Sequence, residues 1–146
     1  MYNRVPAPSA QAIKLLRKKQ KVQPYRLFRW DEIALEKVTE MVSRKIVSGT
    51  REMVAQHYLK KGALVPVHAH ESEQMTYVLQ GALRALVNGD EVIVREGEIL
   101  HVPPLVPHQA EAIEDTFTLD LFCPIRAEWL DQPAQNASAG APAEEP

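Results

Sequence analysis

Three histidines and one glutamine carry the chemistry that this sequence offers. His68 and His70 stand two apart in the run GALVPVHAHESEQMTYVLQG, and Gln74 follows four residues after His70. In an extended strand residues i and i+2 share a face, so both imidazoles aim at one spot. The three residues after His70 are enough to turn a corner, and QMTYVLQG resumes as a second strand with an amide oxygen near its start. His108 arrives from far downstream, in GEILHVPPLVPHQAEA, just behind a rigid corner marked by tandem prolines. Three imidazoles and one amide oxygen make a pocket for a divalent transition metal.

A second constellation sits in TLDLFCPIRAEWL, where Asp120 and Phe122 share parity and face inward together, and Arg126 follows beyond Pro124. A carboxylate inside an apolar interior must be paired, hydrogen-bonded or working. Two readings stand side by side: an Asp120–Arg126 ion pair closing one end of the fold, or residues that contact a substrate. His57 and His101 each stand alone in a strand-like segment and are assigned packing or surface roles. Cys123, with no partner thiol and no CxxC spacing, reads as a buried small hydrophobe.

The elements that hold these side chains are strands. From Pro24 onward the chain breaks into short runs rich in Val, Ile, Leu, Tyr and Phe, among them YRLFRW, IALEKV, MVSRKIV, EMVAQHYLK, QMTYVLQ, ALRALV, EVIVRE and TFTLDLF. Gly follows Ser48, Lys61, Gln80 and Asn88 at the turns, and Asn88-Gly89 is the strongest hairpin signal of the four. Successive antiparallel hairpins are the expected wiring. Parity then puts His68, His70, Gln74, Thr76 and Val78 on the inner face, and Met75, Tyr77 and Leu79 on the other. Glu73 points away on this register. It could enter the site only through a bulge at the corner, so Gln74 is preferred as the fourth ligand.

The 146 residues make one domain's worth of chain, with a formal charge of -2 and a single cysteine. That balance offers no general basic field for nucleic acid, and one cysteine excludes an internal disulfide framework and fits a reducing, cytoplasmic interior. Residues 1–24 read as a loose extension carrying a short basic helix, QAIKLLRKKQK, and no apolar stretch of signal-peptide or membrane-spanning length occurs. Residues 25–130 form the β domain. Residues 131–146, DQPAQNASAGAPAEEP, lack aromatic and branched side chains and are expected to be disordered.

Both histidine-bearing stretches resemble the paired motifs of the cupin superfamily, small metal-holding β-barrels. Gly62, His68, His70, Gln74 and Gly81 fall in register with the first motif, with Gln74 in place of its Glu. Gly97, Pro103 and His108 fit the second, with Leu105 and Ala112 in place of its Gly and Asn. The resemblance covers roughly residues 30 to 130 and implies an all-β jelly roll, a double-stranded β-helix. His-x-His-x3-Gln, a later His, and Asp-x-Phe-x3-Arg further resemble the small cupins of pectin and alginate breakdown, which convert 4,5-unsaturated uronates to linear keto sugars. That likeness makes His68, His70, Gln74 and His108 the ligands of a divalent ion (Zn, Ni, Fe or Mn). It makes Asp120, Phe122 and Arg126 catalytic residues beside a small anionic substrate, with Arg126 holding the uronate carboxylate and Asp120 moving a proton during ring opening, in a chain expected to form a homodimer.

With neutral ligands alone such an ion keeps its double charge and suits Lewis-acid work on an anion. The commonest non-haem iron arrangement uses two histidines and a carboxylate instead. Other readings are a cupin dioxygenase, a lyase or isomerase acting on another small metabolite, and a metal-dependent binding module without turnover.

Overall fold

Along Met53–Leu59 and Thr116–Cys123 every second residue is buried or nearly so, the period of strands with one face toward a core. A computed structural model describes residues 4–19 and 24–130. Among them run the helix α1 (Ala10–Lys19) and the strands β1 (Glu36–Lys37), β2 (Val42–Ser48), β3 (Met53–Leu59), β4 (Leu64–His68) and β5 (Glu73–Gln80). Then come β6 (Ala82–Val87), β7 (Asp90–Arg95), β8 (Ile99–Val102), β9 (His108–Ala112), β10 (Thr116–Cys123) and the short helix α2 (Ala127–Leu130). The strands form two antiparallel sheets, ordered β1-β2-β3-β10-β5-β8 and β4-β9-β6-β7, an all-β jelly roll.

Simple hairpin wiring holds for only part of the chain. Within a sheet, β1–β2, β2–β3 and β6–β7 pair as sequence neighbours, whereas β10 inserts between β3 and β5, and β9 between β4 and β6. From β3 onward the chain passes repeatedly between the two facing sheets, and β4 and β5 lie in different sheets although only a short loop joins them. That crossing is what brings the two motif segments together.

The turn residues behave as their chemistry requires. Asn88 and Gly89 both have positive φ, 50° and 86°, and close the β6–β7 hairpin. Gly81, at φ 89°, lies so close to the backbone of Asp115 and Thr116 that a Cβ there would collide with it.

Two segments differ from expectation. YRLFRW forms no strand, and its last residue opens a 3-10 turn, Trp30–Glu32. IALEKV contributes only Glu36–Lys37. Side chains rather than a ladder hold this stretch: Arg26 donates to the Ser48 carbonyl at 3.0 Å, and Lys45 donates to the Trp30 carbonyl at 2.8 Å. The basic helix forms as expected over Ala10–Lys19, with Ser9 Oγ capping the Ala12 N–H at 3.1 Å. The expected helix end at Lys21 and the expected disordered tail lie outside the described residues. Among the described residues no helix is long and apolar enough to cross a membrane.

One core cluster, including Val42, Leu59, Val78, Leu83 and Val94, fills the space between the sheets. A second, Met53, Ala55 and Phe122, packs with Ile125 and Trp129 toward the open end. Burying a side chain such as Val78 contributes about 1.5–3 kcal/mol, enough over these clusters to hold the strands that carry polar residues inward.

Candidate metal centre

His68 ends β4 and His108 begins β9, directly across the ladder from it. His70 lies in the loop that crosses to the other sheet rather than in the strand itself, and Gln74 sits on β5. His68, His70 and His108 nonetheless converge, with ligand atoms all within 4.8 Å of one another. Each imidazole is oriented in the same way. Nδ1 of His68 donates to the Pro66 carbonyl at 2.9 Å, Nδ1 of His70 to Ser72 at 2.9 Å, and Nδ1 of His108 to Val106 at 2.8 Å. A carbonyl only accepts, so each Nδ1 carries the hydrogen and each Nε2 keeps a free lone pair. Backbone carbonyls thus fix the tautomer of each imidazole, as they do around metal-binding histidines.

Gln74 is oriented by a relay that begins at a carboxylate. Thr76 Oγ1 donates its one hydrogen to Asp120 Oδ1 at 2.5 Å, so it can only accept from the Gln74 amide nitrogen, which lies 2.8 Å away. The amide oxygen therefore faces His70 Nε2, at 3.0 Å. Burial, and after it the nearby Arg126 guanidinium, push the His70 pKa below its ordinary value and keep the ring neutral. Burial does the same to His108, whose Nε2 is enclosed without a hydrogen-bond partner among the described residues.

Two acceptors thus meet at 3.0 Å with no proton between them, beside a third lone pair buried without a partner. Such an arrangement is costly unless a cation is shared, and the donor set of three imidazoles and one amide oxygen fits a divalent transition ion.

Glu73 is exposed and pairs outward with His101 at 2.7 Å. The corner contains no bulge that turns it inward, and the parity reading of Gln74, Thr76 and Val78 stands.

The Asp120–Arg126 ion pair does not form. Asp120 is 4 % exposed and accepts from Thr76, from Thr118 Oγ1 at 2.8 Å and from His57 Nδ1 at 2.7 Å. Arg126 bonds Glu128 at 2.5 Å, and its guanidinium stands over the rings of Phe122, at 5.4 Å, and Trp129, at 4.4 Å. Phe122 is buried as expected, edge-on to His70. Gln74, Asp120, Phe122 and Arg126 all line the cavity that contains His68 and His108.

Two sequence assignments change. His57 is not a packing or surface residue: it lines this cavity and holds Asp120. The signal for it was available, because Met53, Ala55, His57 and Leu59 share the inward parity of β3. Cys123 is exposed, since it falls on the outward parity of β10, opposite Glu73. Trp129, edge-on to both His57 and Phe122 and beneath Arg44 at 4.1 Å, also borders the cavity, and nothing in its spacing singled it out.

Comparison with known proteins agrees with this geometry. Residues 56–124 match the Cupin domain family. The pectin degradation protein KdgF of Dickeya dadantii is 28% identical over 109 residues, 72% of this chain and 98% of that protein. The structure of KdgF from Halomonas sp. superposes with a TM-score of 0.69 at 29% identity, covering 73% of this chain and 99% of that one. An RmlC-like cupin from Shewanella frigidimarina gives 0.68 at 26% identity, covering 73% and 97%. Sheet topology, the three-histidine cluster and these likenesses together identify a cupin domain over residues 56–124 of a chain that resembles the KdgF proteins.

Proposed function

We propose that this cupin is a metal-dependent enzyme that opens a 4,5-unsaturated uronate ring to a linear keto sugar. The observation that carries the reading is the meeting of His70 Nε2 and Gln74 Oε1 at 3.0 Å, two acceptors beside the buried lone pair of His108. Likeness to a pectin degradation protein supports the substrate class.

His68, His70, Gln74 and His108 would hold a divalent ion, which with neutral ligands supplies full Lewis acidity toward a substrate oxygen. The residues around it do the rest. Arg126 offers a planar fork to the uronate carboxylate, its Nη atoms free of the Glu128 bond that its Nε makes. Phe122 and Trp129 supply apolar walls on which a sugar ring rests. Asp120, through Thr76, keeps the amide oxygen of Gln74 turned to the centre. Ring opening followed by tautomerisation asks the site to take one proton from a hydroxyl and to give one to carbon.

Elemental analysis of purified protein, joined to an assay of unsaturated uronate by loss of its conjugated ultraviolet absorbance, tests the reading. One divalent ion per chain and disappearance of the chromophore without oxygen uptake are expected. His108→Ala should lose the ion, and His101→Ala, on the outer face, should keep it. Oxygen consumption would point to a dioxygenase instead, and tight binding without product to a sensor.

A further inference from the structure

The proton-handling group of this cavity must offer an open lone pair to the substrate. Asp120 does not have that form: it is 4 % exposed and three donors, from Thr76, Thr118 and His57, already occupy its two oxygens. His57 is built the other way round. Its Nδ1 is tied to Asp120 Oδ2 at 2.7 Å, while its Nε2 has no hydrogen-bond partner among the described residues. The ring lines the same cavity as His68, Gln74, His108 and Arg126. Trp129, edge-on at 5.6 Å between centroids and 73° between planes, fixes its orientation.

An acceptor-only carboxylate on Nδ1 holds the hydrogen there and leaves the Nε2 lone pair turned to whatever fills the cavity. This is the logic by which a buried carboxylate orients a catalytic imidazole and stabilises its charged form. Neither of the other strands that flank β3 and β10 offers a competing base at this position. β2 presents Arg44, engaged with Glu36 at 3.1 Å, and β5 presents Thr76.

We propose that His57 is a catalytic residue of this cupin, the group that takes and returns the proton during ring opening, with Asp120 as its positioning residue. The inference rests on the ring-opening reading above. Nε2 of His57 takes the hydrogen of the anomeric hydroxyl. The O–H electron pair becomes the second bond of the C1 aldehyde, and the bond from C1 to the ring oxygen breaks. That oxygen leaves as the enolate of C5. The imidazolium then delivers its proton to C4, and the enolate collapses to the C5 ketone. One proton is taken and one returned, and the isomerisation consumes no oxidant.

Full-length protein carrying its metal, assayed on unsaturated uronate, tests the role with His57→Gln and Asp120→Asn. Glutamine can still bond Asp120 but cannot shuttle a proton. Asparagine still accepts from Thr76 yet donates to Nδ1 of His57, which moves the ring hydrogen to Nε2 and removes the base. Both variants should keep the metal and a KM within a few-fold, and lose about 10²- to 10⁴-fold in kcat. Nitrogen-15 spectra of the ring should show the Nδ1–H tautomer in the wild type and the Nε2–H tautomer in Asp120→Asn. A wild type that turns over while His57→Gln matches it overturns the proton role and leaves ring opening standing. A His57→Gln protein that loses its metal, or a wild-type His57 protonated at Nε2, overturns it as well. A metal-loaded wild type inert toward the uronate defeats the ring-opening reading, and this step falls with it.

Discussion

Leu105 donates its backbone N–H to the carbonyl of His70 at 2.8 Å and thereby ties the proline corner before β9 to the loop that carries a candidate ligand. To do so it adopts φ 65°, a left-handed conformation, at the position where the family motif has glycine. The residue is 68% exposed, so the leucine gains little packing in return. Leu105→Gly should relieve about 1–2 kcal/mol of backbone strain and give back about 0.5–1 kcal/mol in unfolded-chain entropy, a net gain near 1 kcal/mol or less. Leu105→Ile, branched at Cβ, should lower stability by a similar amount. Thermal melts of metal-stripped protein read both, and a melting temperature reduced by glycine would contradict the strain argument.

Acid should destabilise the metal-free protein. Burial first, and behind it the Arg126 guanidinium, hold the pKa values of both His70 and His108 below 6.5 in the folded chain. In the unfolded chain both titrate near the ordinary value, so below 6.5 the unfolded state binds more protons than the folded one. Stability attributable to these rings is therefore complete above 6.5 and declines as pH falls toward their folded values. Bound metal should steepen the decline, because protons compete with the ion for the same lone pairs. Urea titrations across this range, with and without chelator, measure it. Unchanged or rising stability on acidification would refute the assignment.

Much of this site was legible in the sequence because a period of two is a strong constraint. Within β5 the period of two put Gln74, Thr76 and Val78 on one inward face, and within β10 the same rule put Asp120 beside Phe122, whereas His70 reaches the site from the loop and not by strand parity. What parity cannot reveal is which strands become neighbours. His57 meets Asp120 only because β10 inserts next to β3, a pairing of residues 63 apart in the chain that a meander of hairpins would not make. The same blindness suggested an Asp120–Arg126 pair, since these residues are close in sequence while their actual partners, His57 and Glu128, were set by the sheet order and by α2. YRLFRW failed as a strand because propensity alone favours extension without supplying a ladder: the segment pairs with no strand, and β1 remains the edge of its sheet.

The buried pair of Glu36 and Arg44 supports the cavity from the side. Two contacts join them, at 3.1 and 3.2 Å, and both side chains are less than a tenth exposed. Arg44 in turn stands over the Trp129 ring. Glu36→Ala would strand a buried guanidinium, at a cost of about 3–5 kcal/mol, whereas replacing both partners by apolar residues of similar volume should cost far less. Denaturant unfolding of the single and double variants separates the two. Equal losses would mean that the pair itself, rather than the uncompensated charge, carries the stability.

Gln74→Glu tests whether the neutral ligand set matters, and the relay makes its outcome asymmetric. A glutamate would restore the residue found in the family motif and supply a charged donor for the ion, so metal should be retained. It would also bring a second acceptor-only group against Thr76, whose single hydrogen already goes to Asp120. Either Thr76 turns from Asp120 to the new carboxylate, or the two oxygens face each other unbridged. In the first case Asp120 loses a donor, in the second an unrelieved repulsion remains beside the centre, and in both the centre's net charge toward an anionic substrate drops by one. The variant should therefore hold its ion at least as tightly as the wild type while kcat/KM on the uronate falls on the order of 10- to 100-fold. Elemental analysis and steady-state kinetics on the same preparation decide the matter. Full activity in the glutamate variant would show that neither the ion's undiminished charge nor the amide's place in the relay is needed for turnover.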